Sequence, residues 1–347
     1  MSAKPSPVTL ALSTEAERSR AKSTEATLTG ASPTGAKPIL VTGSHRSGST
    51  WVGRMIAASP AVAYIHEPFH LNHNRGFCGA SFDHWFAYIC AENEARYFHY
   101  FQKTTQFRYH VDWDWELLRN PEKREQVIKD YQFFQKKRAA GCRPLLKDPI
   151  ALFSAEWLAN RFNMDVVVMI RHPAAFAHSL KKAGWFHNFS HFLDQPLLMR
   201  DYLYPFEAEM REFIQQPRDI IQHAALLWKL IHYMIGSYRE RYPSWIFVRH
   251  EDLSFEPTAG FREIFDRLQL EFGDRVQTEI EDYSSAKSQT DSLRFMESSG
   301  FPPLDSIKRD SKANIATWKT ALTAAEIDYV QQQVKDISSQ FYTDAEW

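Results

Sequence analysis

Four side chains suited to moving an anionic group stand at matching places in the sequence. Arg46, Lys147 and Arg171 are cations, Glu67 is a carboxylate, and each closely follows a short apolar run. Cations offset charge on a transferred group and its leaving oxygen, and a carboxylate can take the proton of an acceptor hydroxyl. The stretch over residues 38–51, PILVTGSHRSGSTW, is the most informative. Gly43 and Gly48 bracket four residues, the frame of a loop that cradles phosphate. Ser49 and Thr50 open a helix whose first N–H groups point into that loop, which makes an anion site. In nucleoside triphosphatases a lysine follows the second glycine. Here that position is Ser49, and the charge sits at Arg46, two residues before Gly48. Such a loop binds a phosphate-like group but aims its cation differently from an ATPase.

The elements that must position these residues follow from periodicity. Strands are expected at 39–41, 61–65, 142–146, 165–170 (DVVVMI) and 245–248, the apolar ones reading as buried on both faces. Helices are expected at 50–58, stopping before Pro60, at 157–162, from Pro173 to about Lys182, across 207–241, at 261–270 and at 324–337. Strands alternating with helices give an α/β fold, a parallel sheet flanked by helices on both faces, like the P-loop nucleoside triphosphatases. In such sheets ligands lie beyond the carboxyl ends of the strands. The loops carrying Arg46, Glu67, Lys147 and Arg171 should therefore converge.

Composition narrows the partners. The 347 residues carry a net charge of −1, so no global field attracts nucleic acid or an anionic membrane, and any anion site is local. Three cysteines, Cys78, Cys90 and Cys142, have neither CxxC spacing nor an even count and suit a reducing, cytoplasmic setting. No membrane span and no secretory leader are expected. Residues 1–36 are rich in Ser, Thr, Ala and Pro, lack aromatics and read as a disordered extension before a domain over 37–347. An aromatic-rich helical insertion at about 70–140 is either an ordinary core or a lid over a second substrate, and Trp185 to Tyr204 offers a second possible acceptor wall. His66, His70 and His73 lack a matching carboxylate set, so no metal site is expected. His187 and His191 read as solvated, and Glu251-Asp252 as a structural acid pair.

Arg46-Ser47-Gly48-Ser49-Thr50-Trp51 resembles the 5′-phosphosulfate loop of sulfotransferases that use 3′-phosphoadenosine 5′-phosphosulfate (PAPS). Arg171 and Ser179, eight apart across a strand-to-helix junction, resemble that family's 3′-phosphate site. Lys312-Ala313 with Trp318-Lys319 resembles the segment that closes over the donor. The resemblance implies that Arg46, Ser47, Gly48, Ser49 and Thr50 hold the phosphosulfate and Trp51 stacks on adenine. It implies that Arg171, Ser179 and Lys312 hold the 3′-phosphate and that Lys147 lies near the sulfuryl group. Cytosolic members keep a histidine base two residues after that lysine, where this chain has Pro149. Golgi-type and some bacterial members are similar in placing a glutamate where Glu67 stands, so Glu67 is the expected base, with Asp148 and His66 behind it. Ser311 replaces an arginine of the closing segment, for which Arg309 or Lys308 would substitute. Arg46 in place of lysine resembles the carbohydrate-modifying and bacterial branches and implies a sugar or related small-molecule acceptor. Two alternatives carry the same loop: a P-loop small-molecule kinase, and a non-catalytic nucleotide-binding protein.

Overall fold

The computed structural model describes residues 36–110, 121–284 and 315–347. Five strands, β1 (Ile39–Gly43), β2 (Val62–His66), β3 (Arg143–Lys147), β4 (Asp165–Ile170) and β5 (Ile246–Arg249), form one sheet in the order β2-β3-β1-β4-β5. Every pairing is parallel, and β1 runs beside β4 from Ile39 opposite Asp165 to Gly43 opposite Met169. All five expected strands are present, their ends within two residues of those expected.

The longer helices are α1 (Ser49–Ala57), α2 (Phe98–Thr105), α3 (Pro121–Ala139), α4 (Ala155–Phe162), α5 (Pro173–Ala183), α6 (Glu207–Gln215), α7 (Ile220–Arg241), α8 (Pro257–Arg267), α9 (Asp274–Ser284) and α10 (Ala324–Ser338). They cover both faces of the sheet, which is why its strands carry apolar residues on both faces. Successive residues still alternate between two cores. Leu40, Val166, Val168 and Ile170 pack with Phe176 of α5 and Trp228 of α7. Ile39, Val41, Val167 and Met169 pack with Val52 of α1 and Phe261 of α8.

One expected helix divides. The spacing over 207–241 is continuous, but α6 ends at Gln215 and α7 begins at Ile220. Pro217 drives Gln216 into extended backbone (φ −119°, ψ 137°). Asp219 then caps α7, its Oδ1 accepting from the Gln222 amide at 2.9 Å. The 70–140 region holds α2 and α3 within a larger share of irregular chain. Phe82, Phe101 and Phe134 are buried core residues, as the plainer reading expected, while Trp85 and Phe86 face a cavity. Trp113, Trp115 and the extension over residues 1–35 lie outside the described residues.

The chain leaves β1 toward β2 on one side, whereas β4 passes on to β5 on the other. The reversal opens a crevice at the carboxyl ends of β1 and β4. Gly43 closes this seam. Its φ is +133°, and a Cβ there would lie 2.3 Å from the Met169 carbonyl oxygen. No described helix is long and apolar enough to cross a membrane.

Candidate functional site

The loop after β1 turns sharply, with the Ser47 amide donating to the Ser44 carbonyl at 3.3 Å. Arg46 (φ +63°) and Gly48 (φ +88°) both adopt left-handed backbone. Gly48 is the N-cap of α1 and offers no side-chain cap, and the first turn of α1 holds no acid. Its leading N–H groups therefore present the positive end of the helix to the crevice. Glycine is required at 48 for a second reason, since a Cβ would lie 2.6 Å from Nδ1 of His250.

The second cationic loop, after β4, comes to meet the first. Arg171 donates to the Arg46 carbonyl, and Arg46 Nε donates to Ser179 Oγ at 2.9 Å. Ser179 is on α5, which starts at Pro173 as expected. The β4 loop is pinned from behind. Trp228 Nε1 donates to the Arg171 carbonyl at 2.8 Å, and the His172 amide donates to Glu251 Oε1 at 3.0 Å. Tyr342 donates to the other Glu251 oxygen at 3.0 Å, and the His172 ring stacks on Trp318 at 4.7 Å. Glu251 is thus structural, as its position after β5 suggested.

The loops after β2 and β3 bring the third cation to the carboxylate. Lys147 is wholly buried and its ammonium is paired with Glu67, rather than with Asp148 as its chain neighbour would allow. Burial lowers the Lys147 pKa, opposed by Glu67. For Glu67, burial acts upward, but Lys147 and His66 outweigh it and hold the carboxyl below its usual range. Glu67 is itself strained (φ +42°). Asp148 is buried, with Oδ2 and Oδ1 accepting from the amides of Phe69 at 2.6 Å and Ile150 at 3.1 Å. His66, whose pKa burial and Lys147 lower to about 4, has Nδ1 3.2 Å from the Tyr64 hydroxyl. Of the three candidate bases, only Glu67 lines the crevice.

That crevice is a cavity of about 880 Å³, within the usual range for small-molecule sites. Arg46, Gly48, Ser49, Thr50, Trp51, Glu67 and Arg171 all line it. Lys147 reaches it through Glu67 and Ser179 through Arg46. Ser47 is buried, its hydroxyl turned back to the Ser44 carbonyl. Lys312, with Ser311, Arg309 and Lys308, lies outside the described residues. Trp51 is buried yet reaches the cavity. It packs edge-on to Phe261 at 5.2 Å in the core and also lines the cavity, with Tyr283 nearly parallel (13°) at 6.5 Å.

Several cavity residues carry no sequence motif. His45, Trp85, Phe86, Trp185, His187, His250 and Tyr283 all line it. His45 and His250 follow β1 and β5 directly, so the same strand-end rule could have found them. His187 and His191 are a correction. They line the cavity against Phe86 and Trp85, respectively, instead of standing in solvent. Both ring nitrogens of His73 lie on backbone carbonyls, of His70 at 2.6 Å and Cys78 at 2.8 Å. Among the described residues, no three potential metal ligands gather.

Comparisons with known proteins bear on this arrangement. No curated protein matches the chain. Among solved structures, the sulfotransferase domain from the curacin biosynthetic pathway is 15% identical, with 86% of this chain and 98% of that one covered and a TM-score of 0.46. The sulfotransferase domain from the Synechococcus PCC 7002 olefin synthase is 16% identical, covering 89% and 96% at a TM-score of 0.45. A mouse sulfotransferase complexed with PAP is 10% identical, covering 89% and 86% at 0.40. The model described as "Sulfotransferase family" matches residues 38–274, well over half the sequence and inclusive of every strand and of both cationic loops. The chain belongs to the sulfotransferase family.

Proposed function

We propose that the chain transfers a sulfuryl group from PAPS to an acceptor hydroxyl, with residues 37–347 as the catalytic domain. One observation carries the reading: the loops after β1 and β4 place Arg46, Arg171 and Ser179 together at the uncapped start of α1. A donor with phosphate groups at both ends of its nucleoside needs anion-binding groups on two loops, and a nucleoside triphosphate does not. Ser49, where a kinase of this fold needs lysine, is buried in the first turn of α1.

In this reading Arg46, Ser47, Gly48, Ser49 and Thr50 hold the phosphosulfate. Arg171, Ser179 and Lys312 hold the 3′-phosphate. Trp51, with Tyr283 beside it, gives adenine a flat apolar surface. The acceptor oxygen attacks sulfur in line, and the bond from sulfur to the phosphate oxygen breaks. A sulfate ester and adenosine 3′,5′-bisphosphate leave, and the hydroxyl proton passes to Glu67. Arg46 and Lys147 offset charge on the sulfuryl and bridging oxygens, joined by the fixed N–H dipoles of α1. No metal takes part in these steps. The three free cysteines support a reducing, cytoplasmic setting. The resemblance to carbohydrate-modifying members points to a sugar or a related small molecule as acceptor.

Incubation with sulfur-labelled donor and an acceptor panel tests the reading. Labelled ester should form with the native chain and fall to background with Arg46→Ala. Undiminished product from the variant would refute the assignment.

A further inference from the structure

The turn that carries Glu67 brings a second polar side chain to the cavity. His70 stands three residues further on and lines the same space. Its backbone is fixed at both ends. The His70 amide donates to the Glu67 carbonyl at 3.1 Å, and the His70 carbonyl accepts from the amide and the Nδ1 of His73, at 2.9 and 2.6 Å. Beside it, the Phe69 amide donates to the buried Asp148 carboxylate. The ring is fixed as well. It stands edge-on to Trp85, with centroids 4.8 Å apart at 89°. Its Nδ1 accepts from the Asn72 amide at 3.0 Å. A side chain held on so many sides acts from one position.

The Asn72 contact decides which nitrogen carries the proton. A backbone amide only donates, so the lone pair at Nδ1 is taken up and the neutral ring is protonated at Nε2. His70 therefore brings an N–H donor to the cavity and, in this form, no lone pair with which to take a proton. Glu67 is its complement. Burial, Lys147, His66 and His70 all act on this carboxyl. Oε1 is bound to Lys147, whereas Oε2 has His66 Nε2 at 3.9 Å, beyond hydrogen-bond reach. Oε2 is thus the oxygen open to a proton. A group that only accepts and a group that only donates stand within one turn of the chain. A hydroxyl between them uses both. Its O–H points to Glu67, one lone pair faces sulfur and the other accepts from His70. Three contacts fix the direction of attack, where two leave the oxygen free to swing.

Resting on the sulfotransferase reading above, we propose that His70 is a hydrogen-bond donor to the acceptor, its Nε2–H holding the reacting hydroxyl oxygen while Glu67 takes the proton. The bond from that oxygen to sulfur forms, the bond from sulfur to the phosphate oxygen breaks, and the His70 proton stays where it is. His70 is thus a binding group and not a second base. The test uses the full chain, the variants His70→Gln and His70→Leu, and labelled donor with two acceptor probes, 2-naphthol and methyl β-galactoside. Glutamine places an amide N–H about where the ring holds its own, and leucine has no donor. His70→Gln should keep kcat/KM for the sulfated probe within about five-fold of the native chain. His70→Leu should lose about 10²-fold, with the donor KM within about two-fold. An unchanged thermal shift by adenosine 3′,5′-bisphosphate certifies that both variants fold. In the native chain labelled with 15N-histidine, the ring signals absent from His70→Gln should be those of the Nε2–H tautomer. Native-like transfer by His70→Leu overturns the proposal, as does a His70→Gln variant as inactive as His70→Leu, which would make the ring a base. A ring protonated at Nδ1 also overturns it. Transfer by the native chain to neither probe counts against the sulfotransferase reading, and the tautomer then still decides against His70 as a donor if the proton is on Nδ1.

Discussion

The two sides of the cavity are built by different means. The donor side is backbone and charge. It is assembled at the ends of β1 and β4, where the reversal of strand order leaves a crevice in any sheet of this kind. Its key atoms are the N–H groups of α1 and the guanidinium groups of Arg46 and Arg171. The other side, where the proposed acceptor would lie, is side chain and shape, and it meets the first where the Arg46 guanidinium lies 5.3 Å over the Trp185 ring. It draws on the irregular stretch around Trp85 and Phe86 and on the turn after Gly184, neither of them part of the sheet. On the proposed reading the first can be rigid because every donor molecule is the same. The second can vary without disturbing the sheet, since its residues hang on connections. Glu67 stands where the two sides meet, strained in backbone and joined to a lysine buried in the sheet.

Substitutions should separate the sides, and the largest effect falls on the donor side. Arg46→Ala should lower kcat by about 10³-fold, with the acceptor Kd unchanged by titration. An equal loss of acceptor affinity would mean that the two sides are not distinct. Glu67→Gln comes next, at about 10²-fold in kcat. It also leaves the buried Lys147 ammonium unpaired, at a stability cost of about 3 kcal/mol, readable in urea unfolding. The Glu67→Gln, Lys147→Met double variant should recover stability without recovering transfer. Recovery of both would make Glu67 a structural partner only.

Smaller effects refine the picture. Ser179→Ala removes one hydrogen-bond partner of Arg46 and should raise the donor KM about five-fold, with little change in acceptor KM. The smallest expected effect is a near absence of one. Burial lowers the His45 pKa to about 4, so this ring stays neutral from pH 8 to pH 5.5. An ordinary imidazole would charge at about 6.5. Acceptor affinity in the bisphosphate complex should therefore show no loss from His45 across that range. A drop centred near 6.5 that is lost in His45→Gln would show that the His45 ring is solvated.

The difference between the sides also explains what the sequence disclosed. Buried parallel strands are continuous apolar runs, so all five could be read from the chain, and the strand-end rule then placed Arg46, Glu67, Lys147 and Arg171. The pairing of Lys147 with Glu67 was not legible, because Asp148 is its neighbour in sequence and Glu67 is 80 positions away. Nor was the break between α6 and α7, where apolar spacing runs on past Pro217 and outweighed it. The acceptor wall was the least legible part. An aromatic on a core face and an aromatic on a cavity face have the same sequence signature, and Phe86, buried in the same core as Phe82 and Phe101, differs from them only in also lining the cavity.

The central claim is that this pair of loops holds a nucleotide charged at both ends. Thermal unfolding of the full chain with adenosine 3′,5′-bisphosphate, 5′-AMP and ATP tests it most directly. A bisphosphate at about a hundred times its Kd should stabilise the fold by about 2.7 kcal/mol. That shift should vanish with Arg171→Ala, and 5′-AMP or ATP at the same concentration should give a small fraction of it. Equal shifts by the three nucleotides, or a bisphosphate shift that survives loss of Arg171, would contradict the account.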